Sequence, residues 1–227
     1  MEQAEMRRTE KAEGPITSAT KKIARRDEIH VWSGPILANM LWVLLSIFLI
    51  TMPLALVGLI GFIYRWMTDR DTRVFAIFFG TIRQTWIKCY LLFALDIAVG
   101  ALIYFNFLMF QIMDMTDVLA FLSRSLTVMV LAFLVLFNVH AWVLIAIWDA
   151  SFKRIMDFTL RLIFAQPIWS LLFAMAIIFF VVLTLNMPAM VLVMVTGAIA
   201  AYIASWGTQF LVRKYLTEEQ FSIIEIR

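Results

Sequence analysis

The sequence predicts an all-α, polytopic transmembrane bundle with five hydrophobic segments. Three observations carry that expectation: an apolar composition, long runs without formal charge, and an uneven placement of Lys and Arg. Hydrophobic residues make up 63% of the chain and charged residues 15%, against about 45–50% and about 25% in soluble domains. A water-soluble chain of 227 residues cannot hide so much apolar surface, because much of its surface must face solvent. Lipid removes that conflict. The 20 Phe, 14 Met and 8 Trp agree with it, since Phe suits acyl chains, Met fills gaps and Trp marks membrane interfaces.

Residues 1–28 read as a charged N-terminal tail, 29–216 as one transmembrane helical domain and 217–227 as a short C-terminal tail. The tail mixes charges around Gly14-Pro15 and has few apolar residues, so it lacks the material for a core. Its basic cluster Lys21, Lys22, Arg25 and Arg26 suits either anionic headgroups or plain solvation. No signal-peptide pattern precedes the first apolar run, which is expected to act as an uncleaved anchor.

That first run, 36–64, is uncharged. As one straight helix it would measure about 43 Å, against about 30 Å of hydrocarbon. Two forms stay open: a single span kinked at Pro53, or an in-and-back hairpin turning at Thr51-Met52-Pro53, with arms of about 15 and 11 residues. Thr51 and Pro53 are the helix break in either case. The second segment, 89–113, carries only Asp96, and the third, 125–148, carries no charge. Residues 162–212 contain no Asp, Glu, Lys or Arg. That length holds two spans of roughly 20 residues or more, 162–186 and 189–212, with Asn186-Met187-Pro188 as the turn.

Amphipathic surface helices are expected before segments 2 and 4. In 73–88, Phe75, Phe78, Phe79, Ile82 and Trp86 recur at helical spacing opposite Arg73, Thr81, Gln84 and Lys88. In 151–165, Phe152, Ile155, Met156 and Ile163 alternate with Lys153, Arg154, Asp157 and Arg161. The two regions echo each other: Leu91-Leu92-Phe93-Ala94 recurs as Leu171-Leu172-Phe173-Ala174. A true repeat would mean two copies of a surface helix followed by a helical hairpin.

Topology follows from the cations. Segments 65–88, 149–161 and the C-terminal tail hold eleven Lys and Arg, whereas the turns at 114–124 and 186–188 hold only Arg124. The heavy side, with the C-terminus, is expected to be cytoplasmic. The seven basic residues of the N-terminal tail join that side only if 36–64 is a hairpin.

Asn39-Met40-Leu41-Trp42, then Thr51-Met52-Pro53-Leu54-Ala55-Leu56, then Tyr64-Arg65-Trp66-Met67 resemble the opening signature of the YesL-like family of uncharacterised bacterial membrane proteins. The resemblance is most specific over 39–93. It departs where Met52 stands in place of the family's Gly beside Pro53. The resemblance implies a multi-pass protein of the bacterial cytoplasmic membrane. Members often occur near carbohydrate-uptake systems, which implies subunits of a sugar-uptake complex as partners.

Asp96 is the most informative single residue. An acid inside a span is costly, about 2.5–3.5 kcal/mol on insertion scales, and it faces a partner or a wet cavity. His140, with Asn138 nearby, lies in the next segment at a similar expected depth. Asp96, Asn106, Asn138 and His140 therefore form the candidate intramembrane polar site, with Asp96 and His140 as a proton or cation pair. The alternative is a polar clamp between helices, worth about 0.6–2 kcal/mol.

The lone Cys89 excludes an intramolecular disulfide and any multi-cysteine metal site. No Walker A loop, His-Glu-x-x-His or Gly-x-Ser-x-Gly is present. No enzyme activity, cofactor or metal is expected. The net charge of +3 does not call for nucleic acid. Two function classes follow: an accessory or small permease component linked to carbohydrate uptake, or a non-transporting scaffold or assembly factor without a substrate path. A cavity lined by the four polar residues would favour the first, and a dry bundle with them paired the second.

Overall fold

The computed structural model describes residues 33–110, 118–186 and 195–216. The N-terminal tail, residues 217–227 and the Met187-Pro188 part of the expected turn lie outside the described residues. Within them the chain forms helices and no strand. In order these are α1 (Ser33–Ser46), α2 (Met52–Asp69), α3 (Val74–Phe110), α4 (Val118–Ile147), α5 (Phe152–Ala165), α6 (Pro167–Leu185) and α7 (Gly197–Tyr215). Three stretches are long and apolar enough to cross a membrane: α3, residues Phe121–Ile147 of α4, and α6.

The first apolar run folds back on itself. A Cβ on Gly34 would lie 3.0 Å from the Phe62 ring, two positions that a straight helix would separate by about 42 Å. The break sits between Ser46 and Met52. There the Thr51 hydroxyl donates to the carbonyls of Leu45 and Phe48, and the Thr51 and Met52 N–H groups donate to Phe48 O at 3.0 and 3.2 Å. Pro53 occupies the first turn of α2, where a missing N–H forfeits no helical bond. Tyr90 of α3 donates to Ile50 O at 3.1 Å, tying the tip of this hairpin down. The hairpin therefore reaches only the middle of α3, which continues about 30 Å further.

Its second arm is the core of the bundle. Every residue of α2 from Val57 to Tyr64 is buried, against α3, α4 and α7. A helix that is apolar all round needs cover on all sides, and here protein supplies it. Gly58 and Gly61 face α3 so closely that a Cβ would meet the Phe78 ring at 2.8 Å and the Thr81 side chain at 2.5 Å.

The expected surface helix over 73–88 is not a separate element. Residues 74–110 run as one helix, because no proline interrupts them and Gly80 sits in the helix with nothing within 4 Å of its absent Cβ. The second amphipathic stretch is a helix of its own, α5. It buries Ile155, Thr159, Leu162 and Ile163 and exposes Lys153, Arg154, Asp157 and Arg161. It ends at Gln166, whose backbone leaves the helical region at φ −137°, and Pro167 opens α6. The two echoing regions thus differ at the proline, which one of them lacks.

Two short devices shape the turn from α2 to α3. Arg70 closes α2 in the left-handed region at φ 54°, at a cost of about 1 kcal/mol relative to glycine. Asp71 then accepts from the Arg73 backbone N–H at 3.0 Å and from its guanidinium at 2.7 Å. Those bonds pull the Asp71 carboxyl down from its ordinary 3.8 to about 2. An NMR titration is therefore expected to place Asp71 near 2, and to move it back toward 3.8 in Arg73→Gln. The sign follows from the depression. Whatever stability the turn adds is present above 3.8 and is lost as the pH falls through about 2.

Candidate functional site

Several polar residues inside the bundle lie along the seam between α3 and α4. These helices run antiparallel, so moving from Asp96 to Asn106 along α3 moves from Asn138 back to Thr127 along α4. Asn138 donates through Nδ2 to Asp96 Oδ1 at 2.8 Å and to Leu134 O at 3.0 Å. Asn106 donates to the Thr127 hydroxyl and accepts from Ser123 Oγ at 3.5 Å. At one end of the seam Lys88 pairs with Asp149 at 3.5 Å. At the other, Arg124 donates to Phe110 O at 3.1 Å and lies 5.3 Å over the Phe110 ring, satisfying a last-turn carbonyl of α3.

Asp96 is thus brought together with Asn138 and not with His140. His140 is fully buried and shares a 2.9 Å hydrogen bond with the Thr208 hydroxyl of α7. Residues two apart on a helix point about 200° away from each other. Asn138 therefore faces α3 while His140 faces α7. Depth counting along the chain matches Asp96 to either residue, and only the azimuth chooses between them. The four candidates form three separate contacts.

Two further polar residues matter to this arrangement. Asn39 of α1, fully buried, accepts through Oδ1 from the backbone N–H of Ala198 at 2.8 Å, joining α1 to the first turn of α7. Thr208 belongs to a buried face of small residues on α7 that includes Gly197, Ala201, Ala204 and Ser205. A hydroxyl among small residues is a sequence signal for close helix contact, although it does not name His140 as the partner.

Among the described residues, clefts open between the helices. One, of about 600 Å³, is bounded by Trp42, Ile60, Trp142, Ile177 and Ala201, and of the four candidate polar residues Asn138 alone borders it. Another, of about 770 Å³, lies between α1, α2 and α7 and has Arg70, Gln209 and Arg213 among its lining residues. Among the described residues, no three His, Cys, Asp or Glu side chains are placed to share a metal ion.

Residues 36–107 match a family model described as "Protein of unknown function, DUF624". The match runs from the α1–α2 hairpin through most of α3, so it takes in Asp96 and Asn106 and stops before α4. No curated protein and no solved structure matches the chain.

Proposed function

We propose that this chain is a membrane scaffold or accessory subunit that works by holding partner membrane proteins, without a substrate path of its own. The observation that carries the reading is the bonding of Asp96 to Asn138 within the α3–α4 seam. A transport site needs polar groups aimed at a shared cavity. Here Asp96, Asn106 and His140 each bond to a neighbouring helix, and the cleft that Asn138 borders is mostly apolar.

The outer half of α3 offers a face on which such partners can pack. Leu91, Leu95, Ile97, Leu102, Phe105 and Met109 are all exposed. Lipid or a partner helix can cover such a face equally well, since packing rather than hydrophobicity decides helix association in a bilayer. The YesL-like resemblance makes permease subunits of a sugar-uptake system the partners to seek, in a bacterial cytoplasmic membrane.

The test is affinity purification of the tagged chain from native membranes in mild detergent, read by mass spectrometry. Specific recovery of permease subunits is expected, together with no uptake by vesicles holding this chain alone. Uptake by the chain alone, abolished in Asp96→Asn, would replace this reading with that of a small permease.

A further inference from the structure

The cleft between α1, α2 and α7 combines two chemistries. One is a basic, hydrogen-bonding set. Arg70 and Arg213 both line it, both are exposed, and among the described residues neither forms an ion pair with an acid. Gln209 also lines it, and its side-chain Nε2 is shut off from solvent with no hydrogen-bond partner among the described residues. The lining includes no Asp or Glu. Two guanidinium forks and an unused amide donor are what a phosphate-bearing group accepts.

The other chemistry is apolar and aromatic. Ala198, Ile199, Tyr202, Trp206, Gln209 and Arg213 recur at helical spacing, so the cleft runs along one face of α7. From Ala198 to Arg213 that face extends about 22 Å, more than half of a hydrocarbon core about 30 Å thick. Ile36 and Ile63 form the opposite wall. Trp66 and Tyr202 meet edge-on with centroids 6.5 Å apart, and the Arg70 guanidinium lies 5.1 Å over the Trp66 ring. Such amphipathic rings favour the level of lipid headgroups.

We infer that this cleft binds one anionic phospholipid, with its phosphate between Arg70, Arg213 and Gln209 and an acyl chain along α7 toward Ala198. Charge complementarity selects the occupant. A zwitterionic lipid brings a cation against two arginines, and a purely apolar ligand would leave Gln209 unanswered. Both arginines lie at helix ends. The left-handed backbone of Arg70 turns the chain there without a glycine and sets its side chain over Trp66.

The test is native mass spectrometry of the full chain in detergent, titrated with phosphatidylglycerol or with phosphatidylcholine of the same acyl chains. A single phosphatidylglycerol adduct is expected to form preferentially. Arg70→Gln and Arg213→Gln should each reduce that preference roughly fivefold, and Arg→Lys at either position should retain part of it. Arg83→Gln, outside the cleft, should leave it unchanged. Both arginines are exposed, so the variants keep the core, and a wild-type elution profile verifies that. Equal adducts of the two lipids would overturn the inference, as would an unchanged preference in the Arg70→Gln/Arg213→Gln double variant. Displacement of the lipid by inorganic phosphate at equal concentration would also overturn it, by making the ligand a soluble anion.

Discussion

Gly197→Val is expected to lower the thermal stability of the folded protein more than a single substitution at Asp96 or Asn138. The first turn of α7 lies against α1 so closely that a Cβ at Gly197 would run into the Asn39 side-chain oxygen and come within 2.6 Å of the Trp42 ring. Neither neighbour can retreat easily. Asn39 is fully buried and accepts from Ala198 N–H at 2.8 Å, so moving it breaks that bond and orphans a buried backbone donor. Overpacking costs about 1–3 kcal/mol and an orphaned buried polar group about 1–3 more. Their combination approaches half of a typical stability of about 5–15 kcal/mol. Gly80→Ala and Gly100→Ala provide the contrast, because nothing lies within 4 Å of either absent Cβ. Each should be neutral or add up to about 1 kcal/mol through helix propensity. Thermal unfolding followed by size-exclusion fluorescence separates Gly197→Val from the two alanine variants. A Gly197→Val protein that melts with the wild type would show that α1 and α7 do not meet at this point.

Much of the fold is legible in the residues, and the rest is hidden for identifiable reasons. Composition and the uncharged runs are enough to predict a helical membrane protein, because hydrocarbon demands long apolar helices. They cannot tell lipid from protein as the apolar surroundings. The run 36–64 therefore reads as a membrane segment, although α2 is covered by α3, α4 and α7. Helix boundaries are legible where a breaker stands. Pro53 and Pro167 each lie in the first turn of a new helix. Between Lys88 and Cys89 there is no such residue, and the change from amphipathic to apolar pattern happens inside one helix. In the polar site, sequence separation reports depth but not azimuth. Asp96 could be matched to either Asn138 or His140 by depth, and only the helix phase separates them. Arg70 and Arg213 read as topology markers in the sequence. Their common cleft depends on how α2 and α7 pack, which no local pattern encodes.

The Asp96–Asn138 contact gives the second large effect. Asn138→Leu is expected to cost about 2 kcal/mol, because it leaves the half-buried Asp96 without its 2.8 Å donor in apolar surroundings. Asp96→Leu alone should cost less, about 1 kcal/mol, since Asn138 keeps its 3.0 Å bond to Leu134 O. The double variant Asp96→Leu/Asn138→Leu should return close to the wild type, as happens when both members of a buried polar pair give way to apolar groups of similar size. The resulting coupling, about 3 kcal/mol by a double-mutant cycle of unfolding in bicelles, lies above the usual range for hydrogen bonds between membrane helices because one member is a carboxyl group. Additive losses would mean that the seam does not act as a clamp. The same cycle bears on function. A clamp places its energetic cost on folding, so the double variant should keep whatever partners the wild type recovers. A substrate site would lose its activity in the double variant as completely as in either single one, because removing the carboxyl removes the ligand whether or not the helices still pack.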